Sequence, residues 1–155
     1  MTNETDKKLA GLNITLPQAV APAANYIPYT VTGNLVFISG QLPMKDGKLQ
    51  DLGKLGAAFT VEQGQQAARL CAINLLAQLK AACGGNLDRV KRCVRLGIFV
   101  ASAAGFNDQP KVANGASDLM VAVFGDAGKH ARAAVGVNEL PFNVCVEVDG
   151  IFEIE

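Results

Sequence analysis

Arg132 and Glu147 are the residues whose types and placement most invite chemistry. They stand in the C-terminal stretch HARAAVGVNELPFNVCVEVDGIFEIE, which is otherwise mostly small or apolar. Its alternation predicts two strands joined by a Leu-Pro turn, a closing hairpin. Arg132 lies at the mouth of the first strand and Glu147 in the middle of the second. An arginine is always charged and carries a planar fork of donors. With Ala134, Gly136 and Asn138 on the same strand face, Arg132 suits two-point capture of a carboxylate. The plainer alternative is a strand-end arginine in solvent. Glu147 shares its expected face with Cys145, Asp149 and Ile151. A carboxylate in a partly apolar pocket has a raised pKa and can relay protons or orient a water. Its plainer alternative is a solvent-facing strand glutamate.

Two further groups accompany them. His130 is the only histidine and stands two residues before Arg132, so the same strand face would carry both. A general base and an ordinary loop histidine are both open readings. In FISGQLP, Ser39 and Gly40 end a strand. Gly40 permits close backbone approach, so its amide can donate to a ligand. No partner set for a Ser-His-Asp triad accompanies Ser39, and no phosphate-cradling glycine motif occurs.

Composition narrows the classes. The chain has 155 residues, half of them hydrophobic and 18% charged, which fits one globular domain. Formal net charge is zero, and no basic stripe is visible, which argues against nucleic acid as a partner. Cys71, Cys83, Cys93 and Cys145 have no Cys-x-x-Cys spacing, so no metal site is expected. The polar start and the lack of a long apolar run predict no membrane span and a cytoplasmic protein with reduced thiols.

The elements that must position these residues follow from periodicity. Residues 5–11 suit a short helix within an N-terminal extension over 1–20, followed by a Pro-rich connection. YTVTGNLVFISG predicts two strands around Gly33-Asn34. Residues 40–56 form a loop rich in Gly and Asp. Thr60 and Gln63 make a capping box, and Ala68, Cys71, Leu75, Leu79 and Ala82 recur at helical spacing. Gly84-Gly85 stops that helix. RVKRCVRLGIFVAS predicts a strand with Val90, Val94, Leu96, Ile98 and Val100 on one face. A second helix spans 107–125, with Pro110 in its first turn. The order is ββαβαββ, an α+β domain with two helices on one face of a mixed sheet. The other face would carry Cys93, Gly97, Phe99, Ala134 and Gly136, too apolar for open water, which predicts a homo-oligomer.

Three stretches, APAANYIPYTVTGNLVFISGQLP, VANGASDLMVAVFG and the C-terminal ARAAVGVNELPFNVCVEVDGIFEIE, resemble the RidA/YjgF family over about residues 21–155. The extension and the GIFEIE tail are similar to its YjgF-like branch. The resemblance implies a chorismate-mutase-like fold, a homotrimeric barrel and clefts between subunits. It implies hydrolysis of reactive enamine and imine acids to 2-keto acids and ammonia, without a cofactor. By position, Arg132 matches the arginine that holds the substrate carboxylate and Glu147 the acid that places water. Tyr29, Ser39, Gly40 and Asn114 match residues lining the cleft. Ala133 and Ala134 depart from the family's usual Ser or Thr followed by Cys. Two functions are therefore carried forward: an imine deaminase, and a non-catalytic binder of small keto or amino acids. A ribonuclease role is disfavoured by the neutral charge.

Overall fold

The computed structural model describes residues 2–21 and 24–155. The Asn3 side chain accepts a hydrogen bond from the Asp6 amide at 2.8 Å and so opens helix α1 (Glu4–Gly11). Strands β1 (Tyr29–Thr32) and β2 (Leu35–Gln41) pair antiparallel across Gly33-Asn34, where Gly33 has φ 58°. The stretch expected as loop carries a small ladder, β3 (Met44–Lys45) with β4 (Lys48–Leu49). Its turn is Asp46-Gly47, both at positive φ, the signature of a tight hairpin. Helix α2 (Val61–Ala82) opens on the capping box, with Thr60 N–H donating to Gln63 Oε1 at 2.9 Å. Strand β5 (Val90–Ala101), helix α3 (Gln109–Phe124), strand β6 (Ala131–Val137) and strand β7 (Val146–Ile154) complete the chain.

The main sheet has the order β1-β2-β7-β5-β6. This corrects the expected closing hairpin: β6 and β7 do not pair. β6 runs parallel to β5, and β7 pairs antiparallel with β5 on its other side and with β2. The cause is the β5–α3–β6 crossover, which sets β6 parallel beside β5. The chain then needs residues 138–145 to pass to the free side of β5.

A second correction concerns the faces of β5. Its register against β7 shifts between Cys93 and Arg95, so one residue bulges. Cys93 is therefore fully buried with Leu96, Ile98 and Val100 on the helix face, and Val94 is not. Ala134 and Gly136 also fall on the helix side, opposite Ile98 and Val100. Gly97 and Phe99 remain on the open face.

Helices α2 and α3 cover the buried face. They approach closely at Gly115, where a Cβ would collide with the Gln65 carbonyl. Helix α1 packs on α3, and Leu9 is 3% exposed in the same core cluster. Sequence showed one clear apolar anchor there, too few for periodicity to place it. The Asp88 carboxylate fixes its N-terminus, accepting from Glu4 N–H at 3.0 Å, Thr5 N–H at 2.9 Å and Thr5 Oγ1 at 2.6 Å. No helix among the described residues is long and apolar enough to cross a membrane.

Two outcomes test this docking. Leu9→Ala is expected to cost about 2–3 kcal/mol in denaturant unfolding, as for a buried leucine. Hydrogen bonds from Thr5, its side chain first, hold the Asp88 carboxyl below the ordinary carboxylate range. That stabilisation is present above the ordinary value and lost as pH falls through the depressed one. Protection factors over residues 5–9, taken relative to the intrinsic exchange rate at each pH, should therefore fall in acid before those of the sheet amides, and should be low at all pH in Asp88→Ala.

Candidate functional site

Arg132 pairs with Leu96 across the parallel ladder and so projects to the helix side of the sheet edge, toward the start of α3. There its guanidinium meets three acceptors. Nη1 donates to Asn114 Oδ1 at 2.9 Å and to Ser117 Oγ at 3.0 Å, and Nη2 donates to the Pro110 carbonyl at 3.2 Å. The residue is nevertheless exposed. A guanidinium has five N–H donors, and these bonds use three. The remaining two have no partner among the described residues and form a donor edge for a planar anion.

His130 extends this network. Its Nδ1 lies 2.6 Å from the Gly128 carbonyl, which can only accept, so Nδ1 carries the proton. In the neutral ring Nε2 is then an acceptor, and it lies 2.9 Å from Ser117 Oγ. Ser117 thus donates its hydroxyl proton to His130 and offers a lone pair to Arg132. The order Gly128–His130–Ser117–Arg132 orients the guanidinium without contact from a carboxylate. The sequence left His130 open between a general base and an ordinary loop histidine, and it gave no sign that Ser117 or the Pro110 carbonyl meets Arg132. Asn114 and Ser117 are three apart on one helix, the spacing that puts both on a single face.

The other candidate group gathers around Glu147. Glu147 pairs with Phe99 and projects to the open face. Gly40 lies against it: a Cβ there would overlap the Glu147 carboxylate, so this position requires glycine for as long as Glu147 keeps its place. Ser39 Oγ donates to the Ile27 carbonyl at 2.9 Å, and Ser39 N–H donates to the Pro28 carbonyl at 2.9 Å. Ser39 therefore ties the preceding connection to β2. Tyr29 packs against the hydrophobic core. Burial, and then the neighbouring Asp149 carboxylate, push the Glu147 carboxyl above its ordinary value. Asp149 and Ile151 share its face, while Cys145 precedes the strand and is fully buried. Burial pushes the Cys145 thiol up to about 12, which leaves no thiolate nucleophile there.

The structure thus brings Arg132 to Asn114, and Gly40 to Glu147. It does not bring Arg132 to Glu147 within one chain. The two project from opposite faces of the sheet, with β5 between their strands. The expected closing hairpin would have set their strands side by side; the crossover removes that neighbourhood.

Comparison with known proteins adds independent findings. The family described as "YjgF/chorismate_mutase-like, putative endoribonuclease" matches residues 6–153. A Trypanosoma cruzi protein named TCP17 is 52% identical over 147 residues, covering 94% of this chain and 91% of its own. A Dermatophagoides farinae protein named 2-iminobutanoate/2-iminopropanoate deaminase is 29% identical over 142 residues, covering 92% of this chain and 95% of its own. The crystal structure of an Agrobacterium tumefaciens protein of unknown function aligns at TM-score 0.92 and 49% identity, over 97% of this chain and 92% of that one.

The two groups can be tested separately. Ser117→Ala removes one Arg132 acceptor and should weaken binding of a carboxylate probe such as pyruvate about five-fold, the loss of one ~1 kcal/mol hydrogen bond. Calorimetric titration checks this. For Glu147, the stability supplied by its protonated form is present below the ordinary carboxylate value and lost as pH rises through the raised one. Glu147→Gln should therefore be more stable than wild type at neutral pH, with the gap closing in acid, as read by denaturant midpoints.

Proposed function

We propose, starting from the fact that this chain belongs to the YjgF/chorismate-mutase-like family, that it hydrolyses reactive 2-imino and enamine acids to 2-keto acids and ammonia. The observation that carries this reading is the Arg132 guanidinium, held by Asn114, Ser117 and Pro110 yet exposed with two donors unspent. That edge matches the carboxylate such substrates share. The sequence likeness to a protein named for this deaminase supports the same chemistry.

An enamine first gains a proton at its β-carbon and loses one from nitrogen to become the imine; one water then adds to the C=N bond and ammonia leaves. Arg132 holds the carboxylate and fixes the imine carbon. Glu147, with its raised pKa, gives a proton to the nitrogen and orients the attacking water. The carbinolamine then collapses to the keto acid. Positioning supplies most of the acceleration, because an imine is already electrophilic. No metal or organic cofactor enters. Since Arg132 and Glu147 leave opposite faces of one sheet, we assign them to the same cleft from two copies of the chain. A homotrimer with clefts between subunits satisfies this, with Ser39 and Gly40 on the Glu147 side and Asn114 on the Arg132 side; Tyr29, in register with buried Ile38, faces the helices instead.

The second reading is a binder of small keto or amino acids without turnover. One observation favours it: the Arg132 clamp is complete within a single chain and does not need Glu147.

Hydrolysis of freshly generated 2-aminoacrylate separates the two. Wild type should turn it over, and Arg132→Ala should lose about 10- to 100-fold in kcat/KM, as expected for a charge-assisted contact. Glu147→Gln should lose turnover while keeping keto-acid affinity. Mixed assemblies of the two variants should regain part of the activity, since some clefts then receive both native groups. Background rates in wild type would sink the deaminase reading and leave the binder.

A further inference from the structure

Ser117 Oγ stands between two nitrogens that both lie within 3.0 Å of it, Arg132 Nη1 and His130 Nε2. A hydroxyl has one proton and two lone pairs. With the His130 ring neutral, Ser117 gives that proton to Nε2, and Arg132 takes one lone pair. No donor is then left on the serine for a ligand. The Gly128 carbonyl, 2.6 Å from Nδ1, holds the ring in this tautomer, so Nε2 is the one place where the ring takes up a further proton.

Adding that proton reverses the serine. Nε2 becomes a donor, and its contact with Ser117 survives only if Oγ accepts. Oγ then accepts from His130 and Arg132 at once, and its own proton is set free. The ordinary resort of a helical serine hydroxyl is the carbonyl four residues back, here that of Ala113. A carboxylate held on Arg132 is a stronger acceptor, because it is charged.

Charge acts in the same direction. An imidazolium and a guanidinium would share one oxygen, and neither has an ion-pair partner among the described residues. The other charged groups on the elements that meet His130 are engaged elsewhere. Lys129 pairs with Asp126 in the preceding turn, Lys111 with Asp108 at the start of α3, and Arg95 of β5 with Asp149. Asp118 is exposed and follows Ser117 on α3, where consecutive side chains do not face each other. Two neighbouring cations repel, and an anion beside them relieves the repulsion.

We infer that His130 is a proton-operated positioning residue: its protonation turns the Ser117 hydroxyl from the ring toward the Arg132 edge, so carboxylate binding there takes up a proton and tightens in acid. Proton uptake on binding and tighter binding in acid are one coupling seen from two sides. The inference rests on the reading of Arg132 as a carboxylate clamp and not on turnover, so binding is the measurement to use.

The experiment titrates the full chain, in its native assembly, with pyruvate across the range where histidines ordinarily change charge, about pH 5 to 8. Affinity should tighten about five- to ten-fold from about pH 8 to about pH 5.5. Net proton uptake should appear as a dependence of the calorimetric heat on the buffer. A parallel series in Glu147→Gln silences the other group that could give an acid effect, and the tightening should remain. His130→Gln takes up no proton, while its carboxamide oxygen still accepts from Ser117. It should keep the wild-type affinity at about pH 8 and lose the tightening, and Ser117→Ala should lose most of it. A direct readout needs no variant. His130 is the only histidine, so a histidine-labelled chain gives one ring signal. Adding pyruvate at about neutral pH should raise its doubly protonated fraction. Full tightening in His130→Gln or Ser117→Ala, wild-type affinity that is flat or weaker in acid, or a ring that pyruvate leaves unchanged would each overturn the role of His130 and leave the clamp standing. No pyruvate binding at any pH would overturn the clamp, and this inference with it.

Discussion

The two ladders of β5, parallel to β6 on one side and antiparallel to β7 on the other, fix where each charged group of the site can point. Side chains alternate along a strand. Leu96, Ile98 and Val100 must face the helices, because only that face is dry. Arg132 is in register with Leu96 and is carried to the helix side, whereas Glu147 is in register with Phe99 and is carried to the open side. A shift of one residue in either ladder would exchange these faces and expose the core at the same time. The placement of the charges is therefore protected by the burial of the apolar residues beside them.

The same dependence runs through the helices. Gly115 lets α3 lie against α2, and that contact sets the height of Asn114 and Ser117 over the sheet edge. Gly136, opposite Val100 on β6, leaves space that the Gln109 carboxamide approaches at the start of α3. The guanidinium of Arg132 then has acceptors on one side only. An arginine in open solvent is free to swing; here one helix orients it, and the His130–Ser117 contacts fix the direction of the serine hydroxyl.

On the open face the balance is different. Phe37 and Val135 are 39% and 44% exposed, and Arg95 and Asp149 form a loose ion pair at 3.8 Å. Glu147 stands among them, near a like charge and partly desolvated, which is why its proton is held more tightly. This mixed face is the one on which the proposed homotrimer would seat another copy of the chain.

Local order was legible in the residues. Thr60 and Gln63 announce the start of α2, Gly84-Gly85 its end, and the stripe from Ala68 to Leu79 its buried side, because caps and helical contacts reach only three or four positions along the chain. The Asp46-Gly47 turn was equally local and visible, although its two short strands were read as loop. Arg132 and Glu147 were identifiable as exceptions in an apolar setting, and the ordered motifs pointed to the family. Tertiary structure alone decided which strands pair: residues 131–137 and 146–154 look like a hairpin, and the β5–α3–β6 crossover separates them. It alone placed the bulge beside Cys93, docked α1 through Asp88 and joined His130 to Ser117. Each of these depends on groups far apart in sequence meeting at one point, and neither periodicity nor spacing carries that information.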